Sequence, residues 1–178
     1  MLKNLVLTFS LLVFFACDDG DLQIETLDFD SANIEVCDDN PVMAEVANVL
    51  FKLNDTEALI LELPADAILN EVSTTEIERT VSASGPAKVT YRIFSDQVSN
   101  DYFCSDIPLT TPTVVEEIIA EGGTVFITTT LSSDATNYEH SIILSGISLV
   151  TSENDRITDL SINNFGTVTT AVPVEEEL

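Results

Sequence analysis

From residue 22 onward the apolar positions recur mostly with a period of two and are interrupted at short intervals by polar, turn-forming residues. Val49, Phe51 and Leu53 alternate with Asn48, Leu50 and Lys52, and Leu59, Leu61 and Leu63 repeat the spacing. Between the two runs Asn54-Asp55-Thr56-Glu57 is polar and turn-prone, so residues 48–63 predict a β-hairpin. Val89, Tyr91 and Ile93 alternate with Lys88, Thr90 and Arg92, which predicts another strand with one wet face. Val125, Ile127 and Leu131 do the same within a threonine-rich run, and threonine favours the pleated backbone.

Residues 141–150 are apolar on both phases, the pattern of a central strand covered on both sides. A polar turn over Thr151 to Asp155, a returning strand over 156–162 and a turn over Asn163-Asn164-Phe165-Gly166 follow. The stretch Thr113 to Glu121 admits two readings. Pro112 near its start and Gly122 just past its end suit a short helix. The strand is preferred, because Glu121-Gly122-Gly123 makes a natural hairpin turn into the next strand. Roughly eight to ten short strands with polar turns predict an all-β, antiparallel β-sandwich of one domain, with immunoglobulin-like or jelly-roll connectivity.

The chain start follows a different rule. Lys3 gives a positive beginning, Leu5 to Ala16 form a short apolar run, and Cys17 follows a small residue, with Asp18-Asp19-Gly20-Asp21 directly after it. Twelve such residues span roughly 18 Å as a helix, against about 30 Å of hydrocarbon, so the run reads as a secretory signal and not as a membrane span. This start resembles bacterial lipoproteins, whose signal peptides are cut just before a cysteine that becomes lipidated; Phe14 stands where those signals most often carry Leu. The acidic Asp18, Asp19 and Asp21 resemble the export signal of surface lipoproteins of the Bacteroidota kind. The resemblance implies a palmitate-type anchor on Cys17 and display at the outer membrane. The competing readings are an ordinary signal peptide with a chance cysteine, or a lipoprotein facing the periplasm. On this reading residues 1–16 are the signal peptide, 17–23 the lipidated cysteine and acidic tether, 24–171 the β-sandwich and 172–178 an acidic tail.

Removal of residues 1–16 from the 178 leaves 162, enough for one domain with its own core. It also removes Lys3, leaving 5 basic against 31 acidic residues, a net charge of −26. That charge opposes nucleic acid and anionic lipid surfaces as partners and suits a solvated exterior protein. With Cys17 acylated, Cys37 and Cys104 remain as one pair, which an oxidising compartment would join. Neither sits in a CxxC or beside a histidine, which argues against redox or zinc chemistry.

Candidate chemistry is sparse. The single histidine, His140, has Glu139 and Ser141 as neighbours, but on a strand both point to the opposite face. No GxSxG elbow accompanies them, so a hydrolase triad is disfavoured. Glu116-Glu117 and Asp38-Asp39 are paired carboxylates without the tryptophan platforms of a sugar cleft, since the chain has no Trp. The reading is therefore non-enzymatic. Calcium is the ion these residues suit best, through Asp28-Phe29-Asp30, Asp38 and Asp39 with Asn40, or Glu153-Asn154-Asp155; no EF-hand pattern is present. Candidate recognition loops are Ser95 to Asp101, Ser132 to Asn137 and Thr151 to Asp155, with Tyr102 and Tyr138 as candidate ligand-stacking rings. Tyr102 and Phe103 adjoin Cys104 and equally suit core packing. These features predict a lipid-anchored binding or surface-assembly module, with a carbohydrate- or calcium-binding accessory sandwich as the alternative. The expected partners are the membrane, through lipid, and protein or glycan at the cell surface.

Overall fold

The computed structural model describes residues 26–39, 41–157 and 159–173. The signal peptide, Cys17, Asp18, Asp19, Asp21, Asn40 and the last acidic residues 174–178 lie outside the described residues. Two antiparallel sheets face each other across one core, an open β-sandwich. The first sheet joins β2 (Asn48–Asn54), β3 (Glu57–Leu63), β5 (Lys88–Phe94) and β6 (Val114–Ile119), in that order. The second joins β11 (Asn164–Ala171), β8 (Asn137–Val150), β7 (Gly122–Leu131) and β4 (Ile77–Thr80), and β9 (Arg156–Ile157) adds to the far end of β8. A separate parallel pair joins β1 (Thr26–Asp28) to β10 (Asp159–Ser161). Among the described residues no helix is long and apolar enough to cross a membrane.

The hairpin predicted over 48–63 is β2–β3, with Asn54 opposite Glu57 and Asp55 in the left-handed region at φ 53°, which aspartate tolerates in turns. Its leucines Leu59, Leu61 and Leu63 face inward as expected. β2 faces the other way from the simple reading of its apolar phase: Asn48, Leu50 and Lys52 are buried inward, and Val49 is 49% exposed. Phe51 is buried as well, under a second apolar cluster on the outer face of the first sheet. Thr113 to Glu121 holds a strand, β6, and Ala120 and Glu121 carry the chain from one sheet to the other.

Residues 141–150 are not covered on both faces. Ile142 and Leu144 face the core, and then the phase changes to Ile147 and Leu149, while Ile143 is 39% exposed. The cause is a bulge. Gly122 pairs with Ser148 and Thr124 with Ser145, so β8 carries one more residue than β7, and Gly146 takes φ 63° there. A bulge shifts which face later side chains occupy, and two one-sided phases in series imitate a two-sided strand. The turn expected over 163–166 is likewise displaced: β11 already begins at Asn164, and Phe165 bulges from its ladder into the core.

The main core mixes residues from both sheets with Leu27 and Phe29 from the parallel pair and its sequel. Phe29 packs edge-on against the fully buried Tyr91, whose hydroxyl donates to Glu57. Each such ring or branched side chain contributes about 1.5–3 kcal/mol by leaving water.

Candidate functional site

Four places bring together residues with chemistry. The first is the outer cap of the first sheet. Cys37 and Cys104 are joined by a disulfide with Cα atoms 5.2 Å apart. Cys104 ends α1 (Asn100–Cys104), which lays Tyr102 and Phe103 over β2 and β5. Phe103 stacks on Phe51 with centroids 4.5 Å apart, and Tyr102 meets Phe94 edge-on at 4.9 Å. Of the two readings open for Tyr102, the packing one describes this geometry: its ring is half-buried in an aromatic cluster.

The second is a buried polar chain in the second sheet. His140 is completely buried on β8, and Glu139 and Ser141 are exposed on the opposite face. Its Nδ1 lies 2.9 Å from Thr129 Oγ1 and its Nε2 lies 2.8 Å from Thr170 Oγ1. Thr170 spends its own proton on Asn70 Oδ1, and Asn70 is oriented by donating to the Ala171 carbonyl at 3.2 Å. Thr170 therefore accepts from His140, which fixes the proton on Nε2 and leaves Nδ1 accepting from Thr129. Both ring nitrogens bond threonine hydroxyls, and His140, Thr129 and Thr170 are all buried away from solvent.

Burial alone holds the His140 pKa below its ordinary 6.5. The sign follows by linkage: below about 6.5 the unfolded chain takes up a proton that the folded chain resists, so acid destabilises the fold. Stability is expected to fall by up to about 1.4 kcal/mol per pH unit from this group, between 6.5 and the lower folded-state pKa. Urea unfolding at pH 7.5 and 5.0 should show a larger loss for the native chain than for His140→Gln. Equal losses would mean that carboxylates alone carry the acid response.

The third is a recess of about 230 Å³ lined by Asp30, Ser31, Asn33, Lys52, Asn164 and Gly166 among others. Lys52, 2% exposed, donates from Nζ to the carbonyls of Phe29 at 2.8 Å and Asn164 at 3.1 Å, and stands 5.5 Å from the centre of the Phe165 ring. Burial lowers its pKa from the ordinary value, and the carboxylates of Asp30 and Asp28 act in the opposite direction. The fourth is the β6 edge, where Val115 is 66% and Ile119 39% exposed.

The structure does not gather the candidate calcium residues. Asp28 accepts the Asp30 amide at 3.1 Å and Asp30 accepts the Asn164 amide at 3.1 Å, so these carboxylates bind their own backbone. Asp38 and Asp39 are exposed beside Cys37, and Asp155 closes its turn on Thr151. Among the described residues no group of three or more His, Cys, Asp or Glu side chains converges. Glu116 and Glu117 separate to opposite faces of β6, and Glu117 accepts from Arg92 Nε at 2.8 Å. Of the loops, Ser132 to Asn137 is a self-bonded turn: Asp134 accepts from the Ser132 hydroxyl at 2.7 Å and the Thr136 hydroxyl at 2.8 Å. Those two donors, Ser132 first, hold its carboxyl below the usual value. Tyr138 is half-buried at the start of β8, two residues from His140 on the same row.

Residue patterning does not single out Lys52 or the Thr129–His140–Thr170–Asn70 chain as sites. The one signal for Lys52 is a charged residue in phase with Leu50 inside an apolar strand. Comparison of the chain with protein-family models, curated proteins and solved structures yields no match.

Proposed function

We propose that the chain is a non-enzymatic, lipid-anchored protein of the cell envelope that works as a binding or surface-assembly module. The observation that carries this reading is the Cys37–Cys104 bridge. Structural disulfides persist in oxidising compartments, and this one consumes two of the three cysteines. The third, Cys17, closes the signal-like start and is the residue that takes the acyl chains. Asp18, Asp19 and Asp21 supply the address to the outer membrane surface.

The anchor works by mass of buried methylene, about 0.8 kcal/mol per CH₂; a single chain moors only reversibly, so stable attachment takes more than one. The only histidine is locked between two threonines, which supports a scaffold role over hydrolysis. The net charge of −25 on the full chain directs the search for partners away from nucleic acid.

Intact-mass measurement on native material should show the chain beginning at Cys17 with added acyl mass. Cys17→Ala should move the protein into the soluble fraction, and protease shaving of intact cells should remove the wild-type domain. A native amino terminus without acyl mass would sink the proposal.

A further inference from the structure

We propose that residues 70–76 are an acid-released latch at the end of the second sheet, fastened to the same two threonines that hold the His140 ring. The segment belongs to the connection from β3 to β4. Ala67 and Ile68 at its base are completely buried, whereas Glu71, Val72, Thr74, Thr75 and Glu76 are exposed. Two clasps hold the exposed part down. At the first, the Ser73 amide donates to the Thr129 carbonyl and the Thr129 amide donates to Ser73 Oγ, each at 2.9 Å. At the second, the Thr170 hydroxyl donates to Asn70 Oδ1, and Asn70 Nδ2 donates to the Ala171 carbonyl at 3.2 Å. Among the described residues no other hydrogen bond ties 70–76 to the second sheet.

His140 stands between the clasps. The relay runs from Thr129 through the ring to Thr170 and on to Asn70, so one end of the latch is in line with the imidazole. This arrangement holds one ring proton. A second, on Nδ1, would turn Thr129 Oγ1 from donor into acceptor and leave the Thr129 hydroxyl proton without its present partner. It would also put a full charge on a completely buried ring.

The surroundings bring no counter-charge. Thr129 on β7 and Val168 on β11 lie opposite His140 across the ladder, and the next titratable group along its own row is Tyr138. Glu139 lies on the opposite face, and Glu71 and Glu76 on the segment are exposed. Glu45, whose amide donates to the Ile68 carbonyl at 2.9 Å, is exposed as well. Lys52, the one buried charged side chain besides His140 among the described residues, is bound to Phe29 and to Asn164 at the start of β11, away from Thr170. Burial is accordingly the single cause that holds the ring below its ordinary pKa. Acid then favours the least costly motion that lets water reach the ring. Residues 70–76 contain no buried side chain, so lifting them breaks the two clasps without emptying the core. Parting β8 from β7 or β11 would break a whole ladder instead.

The latch needs no acyl chain, so its test stands apart from that of the anchor. Hydrogen exchange followed by mass spectrometry is run on the full-length protein at pH 7.5 and 5.5, with labelling times scaled for slower intrinsic exchange in acid. At pH 5.5, one unit below the ordinary histidine value, opening of the fragment holding 70–76 should be about tenfold more frequent, while β3 and β5 keep their protection. His140→Gln should erase that difference, and Asn70→Ala should leave the fragment fast at both values. Glu45→Gln, Glu71→Gln and Glu76→Gln combined should leave the difference in place. The chain has one histidine, so its ring nitrogen resonances identify themselves. In the native protein they should place the proton on Nε2 at pH 7.5 and titrate together with the opening of 70–76, a readout that needs no variant to fold. Unchanged opening of 70–76 at pH 5.5, an acid response that survives His140→Gln or vanishes in the glutamine triple variant, or β3 and β5 opening in step with the segment would each overturn the proposal.

Discussion

Replacing Cys37 and Cys104 together by alanine is expected to cost about 4 kcal/mol of unfolding free energy, and roughly 10–15 °C of melting temperature in a domain of this size. The bridge spans a sequence separation of 67 residues, taking in β2 to β5 and α1. Such a long loop removes much conformational freedom from the unfolded chain, which accounts for that magnitude. The native state loses something too. α1 has five residues, one turn and a little more, far below the length at which a helix persists alone. The disulfide, the Phe51–Phe103 stack, the Tyr102–Phe94 edge contact and the Asn100 bond to the Glu35 carboxylate keep it on the sheet. Without the bridge, detachment of α1 would uncover Phe51, Phe94 and Ile60, all buried in the intact protein. Total stabilities of 5–15 kcal/mol are typical, so the bridgeless chain should be marginal at physiological temperature. Urea titration of the double variant, and of the native chain with reductant, should agree in midpoint. Dye binding to newly exposed aromatic surface should rise before the main transition. A loss below about 1 kcal/mol would show that the cap holds by packing alone.

Much of the sandwich is legible in the residue pattern, and the parts that are not share a physical reason. Period-two patterns place β3, β5 and β7 with the correct inward faces, because the core row carries the larger apolar run in each, although Ala58, Ile60 and Phe94 are buried on the outer face as well and Leu131, at the end of its row, is exposed. β2 misleads because its outer row is also covered: Phe51 sits under α1, so apolar character no longer marks the core face. Asn48 faces inward as a brace, donating from Nδ2 to the carbonyls of Met43 and Val46 at 2.9 Å each. β8 misleads because one positive-φ glycine, Gly146, reverses the phase midway, and a bulge leaves no mark in hydrophobicity. The parallel pairing of β1 with β10 joins residues more than a hundred positions apart and has no local signature at all. His140 illustrates the boundary well. Its strand and the exposure of its neighbours follow from alternation, whereas Thr129, Thr170 and Asn70 come from three separate segments that only the tertiary fold assembles.

Lys52 provides the sharpest test of whether a buried charge in this protein is structural. Lys52→Met keeps most of the stem volume and removes every donor, and is expected to destabilise by about 2–3 kcal/mol. The loss comes from the two charged bonds, one to the Phe29 carbonyl, which keeps only the Ala32 amide as donor, and one to the Asn164 carbonyl. Against it stands the relief of no longer holding an ammonium group 2% exposed, a cost visible in the lowered pKa. The hydrogen bonds should win, because the recess beside Nζ and the carboxylates of Asp28 and Asp30 already soften the burial of the charge. Lys52→Ala should cost more, about 4 kcal/mol, since the stem also leaves a void against Phe165. The damage should be local first. Lys52 on β2 ties the segment after β1 to the start of β11, so hydrogen exchange should accelerate around residues 27–34 and 160–166 while β3 and β5 hold. Alkaline pH adds an independent check of sign. A folded-state pKa below 10.5 means that the unfolded chain binds the proton more tightly, so the native protein should gain on Lys52→Met as pH rises toward 10.5. A methionine variant at least as stable as the native chain at pH 7 would show that desolvation outweighs both carbonyl bonds. Lys52 would then be held for something outside the fold, and the recess it lines would become the place to look for that ligand.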